Sequence, residues 1–104
     1  MGRSAVQAGE KAEAALARAL ANQPNRDGEA FTEATERLCE MRDALIGQCR
    51  AGAGSEPHLG RLNAVISSAM TGQFPLGKTD WILLETARSA LHSLLDELRD
   101  LATP

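Results

Sequence analysis

Residues 79–101, TDWILLETARSALHSLLDELRDL, carry the strongest periodic signal in the chain. Apolar side chains recur in this stretch at steps of three and four residues: Leu84, Ala87, Leu91, Leu94, Leu95, Leu98 and Leu101. This spacing places them on one face of an α-helix. Thr79 is the predicted N-cap, with Asp80 in the first turn, where the helix dipole favours an acidic residue. The stretch predicts a long amphipathic helix with one buried side.

Upstream, segments rich in Gly, Pro and Asn at 22–25, 52–54 and 72–77 interrupt the chain and separate three more helical stretches. No stretch alternates between apolar and polar residues with period two, so strands are not expected. The 104 residues suffice for one domain, spanning 1–104. Short connections favour antiparallel neighbours, so the sequence predicts an all-α antiparallel bundle of about four helices. The order is up-down-up-down, or three core helices with the Ala-rich N-terminal helix laid against them.

The first predicted helix, over about 4–21, is dominated by alanine, the best helix former. Its apolar face holds Ala5, Ala12, Leu16, Ala19 and Leu20. Only the two leucines bury much surface. We therefore expect this helix to form readily and to dock weakly.

The second predicted helix runs from about 27 to 50, with Asp27 as N-cap and Gly52 as the stop. Its apolar face is Phe31, Ala34, Leu38, Met41, Leu45 and Cys49, which predicts Cys49 to be in the core. Cys39 lies on the flank of that face. On one helix, ten residues put the two cysteines about 15 Å apart, too far for a disulfide.

The opposite side of the second helix carries an acidic stripe: Glu29, Glu33, Glu36, Glu40 and Asp43. Because this stripe lies opposite the apolar face, we expect it to face water, partly balanced by Arg37. A surface for a basic partner is the first alternative. A divalent metal site or a proton-transfer pair of carboxylates is the second.

The third predicted helix opens at Ser55, Glu56 and Pro57, an N-cap followed by Pro in the first turn. Its apolar face is Leu59, Leu62, Val65, Ile66, Ala69 and Met70. The other side is small and almost uncharged: Gly60, Ala64, Ser67, Ser68 and Thr71, with Arg61 as the only charge after the first turn. We expect this helix to be contacted on two sides. The alternative is an exposed, serine-rich face.

Four apolar residues lie between and beside the last two helical stretches: Phe74, Leu76, Trp81 and Ile82. Trp81 and Ile82 fall outside the leucine stripe of the last helix. Either Phe74 and Leu76 fold over Trp81 and cap one end of the bundle, or the group forms an apolar patch with a Trp anchor for a partner.

The formal net charge is −3, and the nine Arg and two Lys are spread singly along the chain. Nucleic-acid binding depends on neutralising phosphates with a basic surface, so no nucleic acid is expected as a partner. A polybasic membrane patch, a membrane span and a signal peptide are not expected either. We expect a cytoplasmic protein, and the preference for Arg over Lys suggests a bacterial source.

His92, on the polar side of the last helix, lies between Arg88 and Asp96 at steps of four residues. An exposed His on a small helical bundle resembles the histidine phosphotransfer domains. Those domains carry a Lys three and a Gly four residues after the His, where this chain has Leu95 and Asp96. The expectation is a surface His paired weakly with Asp96.

No catalytic, cofactor-binding or metal-binding constellation is apparent, so no enzyme activity and no cofactor are expected. In size and class the chain resembles small helical secretion chaperones and adaptor proteins of bacteria. The predicted function is a non-enzymatic protein-interaction module, homodimeric or bound to another protein. Its predicted interface is Gly60, Ala64, Ser68, Phe74, Leu76, Trp81 and Ile82. The alternatives are a small-molecule- or metal-binding bundle and a phosphotransfer-like module.

Overall fold

The computed structural model describes residues 2–52, 56–73 and 78–102, and within these ranges it contains four α-helices and no strand. The helices are α1 (Gly2–Ala21), α2 (Gly28–Arg50), α3 (Glu56–Gln73) and α4 (Trp81–Ala102). The predicted all-α bundle is confirmed. The predicted cap Ser55 lies outside the described residues, as do Phe74 and Leu76.

The four helices form a ring in which each packs against two others. α1 contacts α2 and α4, and α3 also contacts α2 and α4. Glu10 pairs with Arg99 while Glu13, one turn later, pairs with His92, so α1 and α4 run antiparallel. The structure is therefore an up-down-up-down bundle, with α1 and α3 on opposite corners.

The inner face of α1 is closely packed despite its small side chains. Seven apolar residues of α1 are buried: Ala5, Ala8, Ala12, Ala15, Leu16, Ala19 and Leu20. Gly9 is buried among them. A Cβ at Gly9 would lie 2.5 Å from Leu95 Cδ2 and 2.9 Å from Met41 Sδ. The structure contradicts the expectation of weak docking, because small side chains let α1 approach both α2 and α4.

The longer helices supply most of the large core side chains. Those that are almost fully buried in α2 and α4 are Phe31, Leu38, Met41, Leu45, Leu84, Leu91, Leu94 and Leu95. This confirms both apolar stripes, although the side chain of Leu101 lies outside the described residues. Cys49 is a correction: it is half-buried rather than in the core, because it lies in the last turn of α2.

α3 contributes a narrower apolar face to the bundle. Leu62, Val65 and Ala69 are buried. Leu59 and Ile66 are half-buried against the core, and Met70 is 40% exposed. α3 extends to Gln73, past the predicted break at Gly72, because Gly72 packs against α4: a Cβ there would lie 2.9 Å from Leu84 Cγ.

Two aspartates cap the helices that follow loops. Asp27 accepts a hydrogen bond from the Ala30 backbone N–H and is the N-cap of α2, as predicted. At α4 the prediction was wrong by one residue: Asp80, not Thr79, accepts from the N–H at the third helical position, that of Leu83. The Asp80 N–H donates to the Gly72 carbonyl at 2.9 Å, which holds the start of α4 against the end of α3.

Candidate interaction surface

The outer side of α3 is exposed and nearly free of charge. Gly60, Ala64, Ser67 and Thr71 follow at steps of four, three and four residues, opposite the buried Leu62, and all four are exposed. Ser68 is half-buried. Within the described part of the chain, nothing lies within 4 Å of a Cβ built on Gly60. Among the described residues, no other helix covers these small side chains, so their expected second contact is not made within that part of the chain.

The outer side of α4 continues this surface. Ile82 is 82% exposed, the most exposed large apolar side chain among the described residues. The next two turns present small side chains that are also exposed: Thr86, Ser89, Ala90 and Ser93. With Glu85 they line a shallow depression on the helix. This half of the surface was not predicted, although its small residues follow the same helical spacing as those of α3.

We call these ten positions the α3/α4 outer face: Gly60, Ala64, Ser67, Ser68, Thr71, Ile82, Thr86, Ser89, Ala90 and Ser93. They lie together because α3 and α4 pack side by side. Two contacts fix their antiparallel register: Arg61 forms an ion pair with Glu97, and Gly72 meets Leu84 at the other end. The exposed small side chains of α3 and α4 therefore lie on the outer sides of two helices that pack side by side.

Two ion pairs within the chain flank the α3/α4 outer face. Arg61 pairs with Glu97 at one end. At the other end Arg88 Nη2 donates to Glu85 Oε1 at 2.6 Å. This hydrogen bond is the largest cause that lowers the pKa of Glu85 below its ordinary value, so the carboxylate form is favoured. Each of these two pairs is neutral overall, so neither adds net charge beside the α3/α4 outer face.

Trp81 and Ile82 are neighbours in sequence but lie in different environments. Trp81 is half-buried and packs against the core, with its ring centroid 6.2 Å from that of Phe31. Arg26 lies over the other ring of this pair, 5.0 Å from the Phe31 centroid. Among the described residues, Phe31 of α2 is the aromatic side chain that packs against Trp81. Of the two described members of the predicted apolar patch, Ile82 lies on the α3/α4 outer face and Trp81 does not.

The acidic stripe of α2 faces solvent, as its position opposite the core predicts. Glu29, Glu36, Glu40 and Asp43 are exposed, and Glu33 is half-buried. Arg37 Nη1 donates to Glu40 at 2.7 Å, and Arg18 of α1 donates to Glu33 at 3.0 Å. The stripe is thus partly neutralised from its own helix and from α1. The contact with Arg18 depends on how α1 packs against α2, so the spacing of residues along α2 could not predict it.

His92 lies between carboxylates from two helices. Its Nδ1 is 2.7 Å from Glu13 Oε2 of α1, and its Nε2 is 3.5 Å from Asp96 Oδ2. The pairing with Asp96 was predicted, whereas Glu13 was missed because it comes from another helix. Arg88 also approaches Glu13, at 3.8 Å. Each ring nitrogen thus faces a carboxylate oxygen, and the phosphotransfer alternative stays a prediction.

The described residues contain no group of three or more His, Cys, Asp or Glu side chains arranged to hold a metal ion. Cys39 is half-buried on the flank of α2, as predicted, and both cysteines are free thiols. None of the four helices, within the residues described, is long and apolar enough to cross a membrane.

The chain matches no protein-family model, no curated protein and no solved structure.

Proposed function

We propose that this chain is a non-enzymatic helical protein-interaction module, an adaptor- or chaperone-like small bundle, that forms a homodimer through the α3/α4 outer face. One observation carries the proposal: this face exposes small uncharged side chains and Ile82, while the outer side of α2 carries an acidic stripe. Both surfaces are exposed to water, but a partner can cover the α3/α4 outer face at a smaller desolvation cost than the acidic stripe.

The cost of burial distinguishes the two surfaces. Burying an ionised carboxylate without a partner is expensive, whereas alanine and glycine lose little on leaving water, and serine and threonine can hydrogen-bond across an interface. Small side chains also let a partner helix approach closely. At one end of the face, Ile82 supplies an apolar side chain that becomes fully buried only if a partner covers it.

Electrostatics favour a second copy as the partner on this face. The chain has a formal net charge of −3, so two copies that met through the acidic stripe of α2 would repel each other. Two ion pairs flank the α3/α4 outer face, Arg61 with Glu97 and Arg88 with Glu85. Two copies related by a two-fold axis can therefore meet there with little like-charge repulsion.

The size of the face sets the expected strength of the dimer. A helix of the length of α3 is about 27 Å long, and two adjacent helices span roughly 20 Å, so each copy offers about 500 Å². Two copies would bury about 1,000 Å², the lower limit for a specific interface. We expect a reversible dimer with a Kd of roughly 1–100 µM.

The proposal also covers location, source, cofactors and the class of partner. We propose a cytoplasmic, bacterial protein that works without a cofactor and whose partners are proteins rather than nucleic acid or membrane. Two features support proteins rather than nucleic acid or membrane as partners: the nine Arg and two Lys are scattered singly along the chain, and the net charge is negative.

Sedimentation equilibrium in reducing buffer, from about 1 to about 500 µM protein, tests the dimer. The test variant is Ala64→Glu, which places a like charge on both copies in the middle of α3. The matched control is Ala17→Glu, at an exposed alanine of α1, the helix that does not contact α3 within the described residues. Circular dichroism checks that both variants remain helical.

A concentration-dependent dimer that Ala64→Glu weakens by at least about tenfold, with Ala17→Glu unchanged, supports the proposal. A wild-type protein that stays monomeric over the whole range would overturn the homodimer. Equal effects of the two variants would move the interface away from α3.

A further inference from the structure

We draw no further inference here: the strongest candidate, the apolar patch that Leu59, Ile66 and Met70 form along the seam between α2 and α3, carries nothing because nothing in the structure shows what covers it.

Discussion

Small side chains line both the inner face of α1 and the outer side of α3, yet only those of α1 are covered. Ala12 and Ala15 have almost no exposed surface, whereas Gly60 and Ala64 lie in the open. In α1 the small residues are the packing surface, since they let α2 and α4 approach. In α3 the large side chains Leu62 and Val65 pack inward, and the small side chains on the opposite side are exposed to solvent. The same residue types therefore stabilise the fold in one helix and remain available to a partner in the other.

The largest expected effect comes from enlarging one alanine in each place. Ala12→Leu adds three carbons at a site with no free surface, and we expect a loss of about 1–3 kcal/mol in the free energy of unfolding from overpacking. Ala64→Leu adds the same atoms on the open side of α3 and should stay within about 0.5 kcal/mol of wild type. Urea denaturation of both variants at a concentration where the protein is monomeric measures the difference.

If Ala64→Leu cost as much as Ala12→Leu in the monomer, the outer side of α3 would be covered within the chain, and the contrast between the two helices would disappear. If neither variant lost stability, the packing of α1 would be looser than the structure indicates.

The next effect separates two helical glycines. A Cβ on Gly60 meets nothing within 4 Å, so Gly60→Ala should stabilise the protein by about 0.5–1 kcal/mol through helix propensity alone. A Cβ on Gly9 would collide with the ends of the Leu95 and Met41 side chains, at 2.5 and 2.9 Å. Those flexible ends must shift, so the propensity gain is cancelled or reversed. We expect Gly60→Ala to be more stable than Gly9→Ala by about 1–2 kcal/mol.

Thermal unfolding of the two variants, in parallel with wild type, gives the order directly. A Gly9→Ala variant as stable as Gly60→Ala would show that α1 has room beside Leu95, contrary to the close approach described here.

The sequence predicted the faces of the helices better than it predicted what covers them. The leucine stripe of α4 and the acidic stripe of α2 follow from a period of 3.6 residues, which is a local property. The weak docking predicted for α1 was wrong because the prediction counted the area of each side chain and not the distance between helices. The contacts of Glu13 with His92 and of Arg18 with Glu33 join residues far apart in sequence, so no local spacing reveals them.

The local sequence pattern also could not decide whether Thr79 or Asp80 is the N-cap of α4. Both residue types cap helices well. The structure selects Asp80 because its N–H donates to the Gly72 carbonyl, which fixes where α4 starts relative to α3. A tertiary contact thus decided a boundary that two adjacent capping residues left open.

This cap gives a smaller expected effect, at the edge of the α3/α4 outer face. Asp80→Ala removes the acceptor for the Leu83 N–H and should cost about 1 kcal/mol, while Thr79→Ala should cost less than about half of that. Amide hydrogen exchange in the first turn of α4 should rise in the first variant alone. Equal losses in the two variants would return the cap to Thr79 and shift the start of α4, including the position of Ile82.

The smallest effect concerns Glu85, a rim charge of the α3/α4 outer face that is paired with Arg88. The hydrogen bond donated by Arg88 lowers the pKa of Glu85, so a carboxyl NMR titration should place Glu85 below the ordinary glutamate value. Arg88→Gln removes that donor and should raise the pKa of Glu85 towards the ordinary value. Arg99→Gln is the control, since Arg99 contacts Glu10 and Asp96 and should leave Glu85 unchanged.

Because the folded pKa of Glu85 is the lower one, its pairing contributes stability above the unfolded pKa and loses it as the pH falls through the folded pKa. Both side chains lie at the surface, so this contribution is small and screened by salt. Its importance is local. An identical Glu85 pKa in wild type and Arg88→Gln would mean that the pair does not form in solution. Glu85 would then lie unpaired beside Thr86 and Ser89, and two copies that met at the α3/α4 outer face would repel each other more strongly.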